Sequence, residues 1–461
     1  MKYFALFCIL VGFTRQCSAQ PSVYHPDSLA ASFLDDVELR TFRFFWDLTD
    51  PNTGLTHDRW PTVNFSSVAA IGFGLTSYPI GAERGYVPRD SASNRVLRTL
   101  KFLWSQPQSA DATGSIGFKG FFYHFLDYKH GHRFSEHVEL SSVDTALLIA
   151  GALFCQSYFD RLNQVESNIR AYADSLYRRV DWTWLQVRPP LLCMSWTPEH
   201  GFDKNDWTGY NEAMIMYVLA LGSPTHPVST EAWTAWQRNY IFAEYFGRKF
   251  ISFGPLFGHQ YSHCWIDFRG IRDAYMREKG LDYAENSRRA TYSQRDYAIR
   301  NPEGWKDYSD SIWGFTACDG PTWVKLEYGG KERQFEAYNA RGVSFDWVND
   351  DGTIAPTAAG GSVMFAPEIC VSALLSMKSR YGDSVYRKYG FVDAFNPSFI
   401  TVDTPKGWFD KDYLGIDQGP ILISIENFGS GFVWQTMKKN RYLVTGLQQA
   451  GFSGGWLDDL R

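Results

Sequence analysis

The stretch that decides the fold is DWTGYNEAMIMYVLALGSPTHP, Asp206 to Pro227. Its polar and aromatic start leads into an unbroken apolar segment, Ala213 to Leu221, which ends in a Gly-Ser-Pro sequence. Thr208 and Asn211 are spaced like a capping pair, and Gly222 marks a helix end. A helix of about a dozen residues that is apolar on every side packs inside a core. The stretch therefore predicts a helix that is surrounded by protein.

Glu212 lies in the predicted first turn of this helix. The helix N-terminus favours the ionised carboxylate, whereas burial raises the pKa of a carboxyl group. Because catalytic acids often sit in such conflicting environments, Glu212 is a candidate for chemistry. A capping glutamate that accepts backbone hydrogen bonds would fit the same position, and this residue alone does not decide between the two interpretations.

The N-terminal residues predict export. Residues 1–19, MKYFALFCILVGFTRQCSA, combine a basic start, an apolar run too short to span a bilayer and a small-residue end, which is the pattern of a signal peptide cleaved after Ala19. No later apolar run has membrane-spanning length, so no membrane insertion is predicted. We expect residues 20–461 to form a single catalytic domain, monomeric, in the periplasm or outside the cell.

The composition argues against several partners. Without the signal peptide the chain has 43 basic and 50 acidic residues, a net charge of −7, and no basic run, so nucleic acid is not a predicted partner. The remaining cysteines, each alone in apolar or aromatic surroundings, favour buried thiols over a disulfide framework. Aromatic residues make up 17% of the sequence, a surplus that suits stacking on uncharged sugar rings, although an aromatic-rich helical core would explain many of them.

Helical patterns dominate the chain, and convincing strands are few. Segments that are apolar on every side, such as residues 146–154 and 213–221, alternate with amphipathic ones, such as residues 27–47. This alternation predicts an all-α fold with an inner ring of buried helices inside an outer ring. Residues 300–361 lack a regular pattern but are rich in aromatic residues, so we expect loops at one end of the rings to hold the site.

Several familiar catalytic motifs are absent or incomplete. Residues 451–455, GFSGG, match the nucleophile-elbow string, but the last histidine is His263, so the Ser–Asp–His order of that fold cannot be formed. No HExxH, CxxC or Walker sequence occurs. Four histidines between His124 and His137 lie in one loop without helical spacing, which is a weak metal signal. We therefore predict neither a metal nor another cofactor.

Paired carboxylates are the catalytic groups that remain. Cleavage of a glycosidic bond needs a carboxylic acid that protonates the leaving oxygen and a carboxylate that activates water, about 6.5–9.5 Å apart in inverting enzymes. Candidates should lie at the starts of buried helices or in loops beside aromatic residues. Five acids meet this condition: Glu139, Asp144, Glu212, Asp319 and Asp417. A buried hydrogen-bonded acid at Asp144 and a simple N-cap at Asp417 are the alternatives.

Six segments, in the same order, resemble one known family. They are ELSSVDTALLIAGAL (139–153), WTGYNEAMIMYVLALGSPTHP (207–227), GPLFGHQYSHCWIDFRG (254–270), WGFTACDGP (313–321), DGTIAPTAAGGS (351–362) and GIDQGPILISIENFGSGFVW (415–434). Together they look like the glycoamylase-like domain and are similar to glycoside hydrolase family 144. The resemblance extends from Asp27 to the C-terminus.

The resemblance implies an (α/α)6 barrel with long active-site loops at one end, acting on linear β-1,2-glucan with inversion at the anomeric carbon. It places Glu139, Asp144 and Glu212 in the catalytic cleft, with Glu212 as general acid. The predicted substrate-binding residues are His259, Gln260, Trp265, Trp313, Asp319 and Trp408, together with Tyr210 and Asp417. The expected partner is a β-1,2-glucan polysaccharide or oligosaccharide.

More than one function remains open on this sequence. The leading hypothesis is an exported inverting hydrolase that cuts β-1,2-glucan to sophorose and short oligosaccharides. An exo-acting enzyme that releases sophorose from a chain end, or the hydrolysis of another β-glucan, is the alternative within enzymes. A glucan-binding protein without catalysis is a hypothesis of a different class, and the acids at three helix starts argue against it. A polysaccharide lyase would favour acidic substrates, which the acidic chain disfavours.

Overall fold

Sixteen helices and twenty-one short strands occur in residues 24–460, the part of the chain that the computed structural model describes. The predicted signal peptide, residues 1–19, lies outside the described residues. The helices are α1 Ser28–Leu48, α2 Val68–Glu83, α3 Arg89–Ser105, α4 Ser142–Tyr158, α5 Gln164–Arg179, α6 Met214–Leu221, α7 Glu231–Gln237, α8 Phe257–Gln260, α9 Ala274–Lys279, α10 Tyr283–Arg300, α11 Pro356–Gly360, α12 Pro367–Tyr381, α13 Gly415–Gly429, α14 Phe432–Met437, α15 Arg441–Gln449 and α16 Gly455–Asp458.

The strands have two to five residues each. They are β1 Arg59–Trp60, β2 Ser66–Ser67, β3 Gly117–Phe118, β4 Phe121–Tyr123, β5 Phe125–Leu126, β6 Leu140–Ser141, β7 Ser195–Thr197, β8 Gly201–Phe202, β9 Phe242–Tyr245, β10 Arg248–Ile251, β11 Ala317–Cys318, β12 Val324–Tyr328, β13 Lys331–Phe335, β14 Asn339–Ala340, β15 Gly342–Val343, β16 Val348–Asn349, β17 Tyr386–Arg387, β18 Gly390–Phe391, β19 Phe395–Asn396, β20 Trp408–Phe409 and β21 Tyr413–Leu414.

Buried and half-exposed helices alternate along the chain. The inner ring consists of α2, α4, α6, α8, α11 and α13, which are almost entirely buried. In this ring α2 packs on α4, α4 on α6, and α13 on both α11 and α2. Gln260 joins α8 to α11, since its side-chain Nε2 donates to the carbonyl oxygen of Ala358 at 2.9 Å. The helices α1, α3, α5, α7, α10 and α12 lie outside. The fold is the expected (α/α)6 barrel.

Two of the outer helices begin at the residues that their sequences predict. Asp27 caps α1, because its Oδ1 accepts a hydrogen bond from the backbone N–H of Ala30 at 2.8 Å. Asp282 caps α10 in the same way, accepting from the N–H of Glu285 at 2.8 Å. Each of these helices then turns one apolar face inward, which is why the amphipathic patterns could be located from the sequence.

Glycines let the first two inner helices approach closely. A Cβ on Gly151 of α4 would lie 2.1 Å from the carbonyl oxygen of Gly72 in α2. A Cβ on Gly72 would in turn lie 2.4 Å from the carbonyl oxygen of Leu147. Since no side chain fits between the two backbones, these positions fix how tightly the inner ring can close.

The central stretch of the sequence differs from its prediction at the N-terminal end. Helix α6 begins at Met214 and has eight residues, so Glu212 precedes the helix instead of lying in its first turn. The expected capping pair does not form either. The Asn211 Oδ1 accepts from the N–H of Ala213 at 3.0 Å, but the Thr208 hydroxyl accepts from Asn239 at 3.0 Å. The prediction of a fully buried helix is confirmed.

The loops contain strands that the sequence patterns did not reveal. A five-stranded antiparallel sheet has the order β3-β4-β6-β7-β8 and joins residues 117–141 to residues 195–202. Each strand has two or three residues, which is too short for an alternating pattern to show. Residues 230–246, which carry a helical pattern, also differ, because α7 ends at Gln237 and strand β9 follows.

One large hydrophobic core includes residues from Ala30 to Leu457. Five cysteines lie within the described residues, and all of them are buried and free, which confirms the prediction of buried thiols. Among the helices of residues 24–460, we find none with the length and apolar character needed to cross a bilayer.

Candidate active site

A cavity of about 660 Å³, here called the main cavity, lies where the inner helices begin. Asp144 is in the first turn of α4, Glu212 precedes α6, and Phe257 starts α8, and all three line this cavity. The inner helices therefore point their N-terminal ends, which favour negative charge, toward the same space. Glu139 lines the cavity as well, so the structure brings the three predicted catalytic acids together.

Asp144 is held by the cap of α4. The Ser141 hydroxyl accepts a hydrogen bond from the backbone N–H of Asp144 at 3.3 Å and donates one to the Asp144 carboxylate. Ser141 is thus the N-cap of α4, and the acid lies at the third helical position. Glu139 differs from its prediction, because β6 separates it from the helix. The backbone therefore fixes Asp144 more firmly than Glu139.

His124 contacts both of these acids. Its Nδ1 lies 2.8 Å from Glu139 Oε1, and its Nε2 lies 3.6 Å from Asp144 Oδ2. Burial disfavours the charged imidazole, but the negative charge of Asp144 and the hydrogen bond to Glu139 outweigh it and raise the pKa of His124 to about 9. His124 is therefore positively charged at neutral pH and forms ion pairs with the two carboxylates.

Glu212 has the environment of a proton donor. Burial raises the pKa of its carboxyl group to about 7, and the negative charge of Asp144 adds to the effect. The Ser262 hydroxyl donates to the Glu212 backbone carbonyl at 3.2 Å and accepts from the N–H of Ile215 at 3.0 Å, which fixes the start of α6. A carboxyl group that is half protonated at neutral pH is suited to general acid catalysis.

Two loops close the sides of the main cavity. Residues 194–203 supply much of one wall. The Arg133 guanidinium ties this loop to residues 114–134, because it donates to both carboxylate oxygens of Glu199, at 2.8 and 3.0 Å. Trp207 also lines the cavity, and its indole N–H donates to the Ser142 hydroxyl at 2.8 Å. The walls are thus held by specific polar contacts.

A second acidic group lies at the start of α13 and in the loops beside it. It consists of Asp58, Asp319, Asp393, Asp410, Asp412 and Asp417. Arg59 contacts three of them, with Nη1 2.6 Å from Asp319 and 4.0 Å from Asp412, and Nε 3.1 Å from Asp58. Burial and the charge of Asp393 raise the pKa of Asp410 to about 8, and burial also raises the pKa of Asp417.

Three members of this group could hold a cation. Asp319, Asp410 and Asp412 each place one oxygen within 4.8 Å of the others, and carboxylate oxygens are the ligands of Ca²⁺ and Mg²⁺. Arg59 already supplies a positive charge at the same place. The group is also linked to the main cavity through Tyr261, whose pKa is raised by burial and by the charges of Asp417 and Glu212.

Four predicted substrate-binding residues lie buried in the core and do not line the main cavity: His259, Gln260, Trp265 and Trp313. Gln260 and Trp265 use their polar atoms for hydrogen bonds within the core. The Trp265 indole N–H donates to the Thr76 hydroxyl at 3.0 Å, and its ring stacks on Phe73 at 5.2 Å. Burial lowers the pKa of His259 to about 3, so its imidazole is neutral. A side chain with no exposed surface cannot contact a sugar in this conformation.

The other four predicted substrate-binding residues also lie outside the main cavity. Asp319 and Asp417 belong to the second acidic group, and Trp408 packs on a small cluster with Ala394. Tyr210 lines a neighbouring cavity instead. The main cavity has other lining residues that sequence reasoning missed: His124, Trp207, Phe257, Tyr261 and Tyr338.

One signal for His124 was available in the sequence. Pairing of β4 with β6 sets Tyr123 opposite Leu140, and the N–H of His124 then donates to the carbonyl of Glu139 at 2.9 Å. A hairpin prediction across residues 121–141 would have placed the two side chains together.

Comparisons with known proteins point to one family. Residues 204–441, just over half of the chain, match the sequence profile of the glycoamylase family, described as "Putative glucoamylase". The exo β-1,2-glucooligosaccharide sophorohydrolase (non-reducing end) of Parabacteroides distasonis is 28% identical over 449 residues, a match that covers 90% of this chain. This chain spans only 57% of the length of that relative.

Solved structures of similar proteins superpose on almost the whole of this chain. A protein from Bacteroides uniformis with the same description as the family is 30% identical, with a TM-score of 0.81 over 94% of this chain and 100% of the other. The endo-β-1,2-glucanase of Chitinophaga pinensis, in complex with sophorotriose and glucose, is 28% identical, with a TM-score of 0.80 over 92% of this chain and 99% of the other. Profile and structures together show that this chain belongs to the glycoamylase family.

Proposed function

We propose that this protein is a glycoside hydrolase that acts on β-1,2-glucan, with Glu212 as its general acid. The observation that carries the proposal is the carboxyl group of Glu212, whose pKa of about 7 leaves it half protonated at neutral pH in the cavity that Asp144 and Glu139 also line. The substrate is supported by relatives from two organisms, both named for β-1,2-linked glucose.

The chemistry follows from two carboxyl groups with different charges. Glu212 donates its proton to the glycosidic oxygen as the bond to the anomeric carbon breaks. A water molecule attacks that carbon and gives its proton to a carboxylate, for which Asp144 and Glu139 are the candidates. The ion pairs with His124 orient both of them. A single displacement of this kind inverts the anomeric configuration, and each product carries a new hydroxyl group.

We propose internal cleavage of the polymer as the leading mode. Tyr338 and His200, which line the main cavity, are exposed, so the middle of a glucan chain can approach it. The second candidate is release of sophorose from a chain end, and the observation that favours it is the name of the Parabacteroides distasonis relative, an exo-acting sophorohydrolase.

We also propose that the protein is exported as a monomer after removal of residues 1–19. The basic, apolar and small-residue regions of this segment support the proposal. Sequencing the N-terminus of the protein recovered from a periplasmic or culture fraction tests it, and a retained Met1 would contradict cleavage. Light scattering of the purified protein would show a dimer if the monomer assignment is wrong.

A time course on long linear β-1,2-glucan, with products separated by size, tests the enzyme and its mode. Early appearance of many chain lengths supports internal cleavage, whereas sophorose alone from the first time point supports the exo mode. The matched control is Glu212→Gln, which keeps the shape of the side chain but has no acidic proton. An unchanged polymer with the wild-type protein, despite measurable binding, would leave a glucan-binding protein and refute the hydrolase.

A further inference from the structure

A second cavity, of about 400 Å³, lies beside the main cavity and is here called the Trp347 cavity. Its lining combines aromatic rings with hydrogen-bonding groups: Tyr210, Asn239, Phe253, Phe257, Asp346 and Trp347. The catalytic proposal makes no use of it. Its mixture of apolar faces and a few polar groups is the composition of a small-molecule binding site.

The two cavities are neighbours, and the same residues and loops form the wall between them. Phe257 lines both of them. The loop that leads to α6 also serves both, since Trp207 and Glu212 line the main cavity while residues 208–211 line the Trp347 cavity. A second loop repeats this arrangement, with Tyr338 on the main cavity and Ala340 on the other. The Trp347 cavity therefore begins directly beyond Glu212.

Trp347 is presented to solvent in a fixed position. Its side chain is 41% exposed, which is unusual for so large an apolar ring. The indole lies against the backbone of Gly254, where an added Cβ would be 2.3 Å from Trp347 Cε3. The N–H of Ser344 donates to the Trp347 carbonyl at 2.8 Å, which fixes the turn that carries the ring. An exposed indole of this kind is a stacking surface.

Polar groups beside the ring can bind hydroxyls. The Asp346 carboxylate accepts hydrogen bonds from the hydroxyls of Ser252 and Ser344, the latter at 3.1 Å, and remains exposed. Asn239 donates to the Thr208 hydroxyl at 3.0 Å, which fixes its amide at the cavity wall. A flat apolar ring flanked by a carboxylate and an amide matches a sugar, which has an apolar face and a rim of hydroxyls.

We propose that the Trp347 cavity binds glucosyl residues of the same β-glucan chain whose reacting bond lies in the main cavity. This rests on the proposed function and adds a distal subsite to it. The occupant follows from the position of the two cavities on either side of Phe257, because a chain bound in the main cavity that extends past this residue reaches the Trp347 ring next. The site makes longer chains better substrates than short ones.

The test compares Trp347→Ala with a matched control, Trp323→Ala. Trp323 is 58% exposed and lines neither cavity. We expect Trp347→Ala to raise the KM for long β-1,2-glucooligosaccharides about ten-fold, with kcat unchanged, as truncation of one aromatic anchor does at other binding sites. The shortest cleaved oligosaccharide should keep its wild-type KM, and the control should keep both. An equal change at every chain length, or none, would overturn the proposal.

Binding separates this proposal from the catalytic one. Calorimetric titration of long and short oligosaccharides into Glu212→Gln, with and without Trp347→Ala, needs no turnover. A loss of affinity confined to long chains supports the distal subsite even if the wild-type protein cleaves nothing, in which case the hydrolase alone fails. Unchanged affinity, or no affinity for any chain, overturns the subsite. Melting curves of each variant confirm that the fold is intact.

Discussion

The pKa of Glu212 has consequences that can be worked out before any kinetic measurement. Its pKa is raised from 4.5 to about 7, mainly by burial and to a smaller extent by the charge of Asp144. The rise of about 2.5 corresponds to about 3 kcal/mol between the two protonation states. At pH 7 about half of the molecules carry the proton, compared with roughly one in 300 for an ordinary glutamic acid.

Two measurements follow from this value. On the alkaline side kcat/KM should fall with a midpoint near pH 7, because the proton donor is lost there. The free energy of unfolding should fall as pH rises from 4.5 through 7, because the unfolded chain releases this proton at lower pH than the folded protein does. Glu212→Gln should lose activity by about 10²- to 10⁴-fold. It should also gain about 3 kcal/mol of stability relative to the wild type across that pH range.

Three results would contradict this reasoning. An alkaline midpoint close to pH 4.5 would show that the carboxyl group is solvated as usual. Parallel stability curves for the wild type and Glu212→Gln, measured by urea unfolding at several pH values, would show that its pKa does not change on folding. A Glu212→Gln variant with wild-type turnover would remove the residue from the mechanism.

Three further substitutions test other parts of the structure. His124→Gln should lower kcat and should also remove a stabilisation of at most about 3 kcal/mol. In the wild type this stabilisation is fully present below pH 6.5 and is lost as the pH rises through about 9. Urea unfolding of both proteins at several pH values measures it. Gly151→Ala should destabilise the fold by about 2 kcal/mol or more, because its Cβ would lie 2.1 Å from the Gly72 carbonyl oxygen; an unchanged unfolding midpoint would contradict this contact. Arg341→Met should destabilise the fold by about 3–5 kcal/mol, as measured by thermal unfolding. The reason is that the buried Asp351 carboxylate, 2.7 Å from the guanidinium, would lose its charged partner. A smaller loss of stability would mean that water takes the place of the guanidinium.

The ring architecture could be predicted because burial shows in the sequence of each helix. The apolar segments of α4 and α6 have no polar side, and α1 and α10 have one apolar face after an acidic cap. The strands at the site could not be predicted, because a strand of two or three residues is too short to show an alternation of apolar and polar residues. They are held by partners far along the chain, such as Leu140 opposite Trp196.

The sequence predicted only part of the candidate site, namely the part that depends on the pattern of single helices. Acids at the starts of apolar helices stand out, and Asp144 and Glu212 do reach the main cavity. Trp265 and His259 belong to residue types that bind sugars. The inner ring needs large side chains to fill its centre, however, and both of these side chains are buried there. His124 was missed because its role depends on a hairpin rather than on spacing within a helix.

The closure of the inner ring has a consequence for how the protein is made. Helix α13 fills the place between α11 and α2, so the ring closes only after this helix, the sixth inner helix in chain order, has been made. Until then the apolar flank of α2 has no neighbour on that side, although α4 already covers the other. Such late, long-range pairing slows folding and leaves apolar surface exposed during synthesis. A nascent chain that stops before Gly415 is therefore an open ring, and chaperones that bind apolar surface would be expected to hold it.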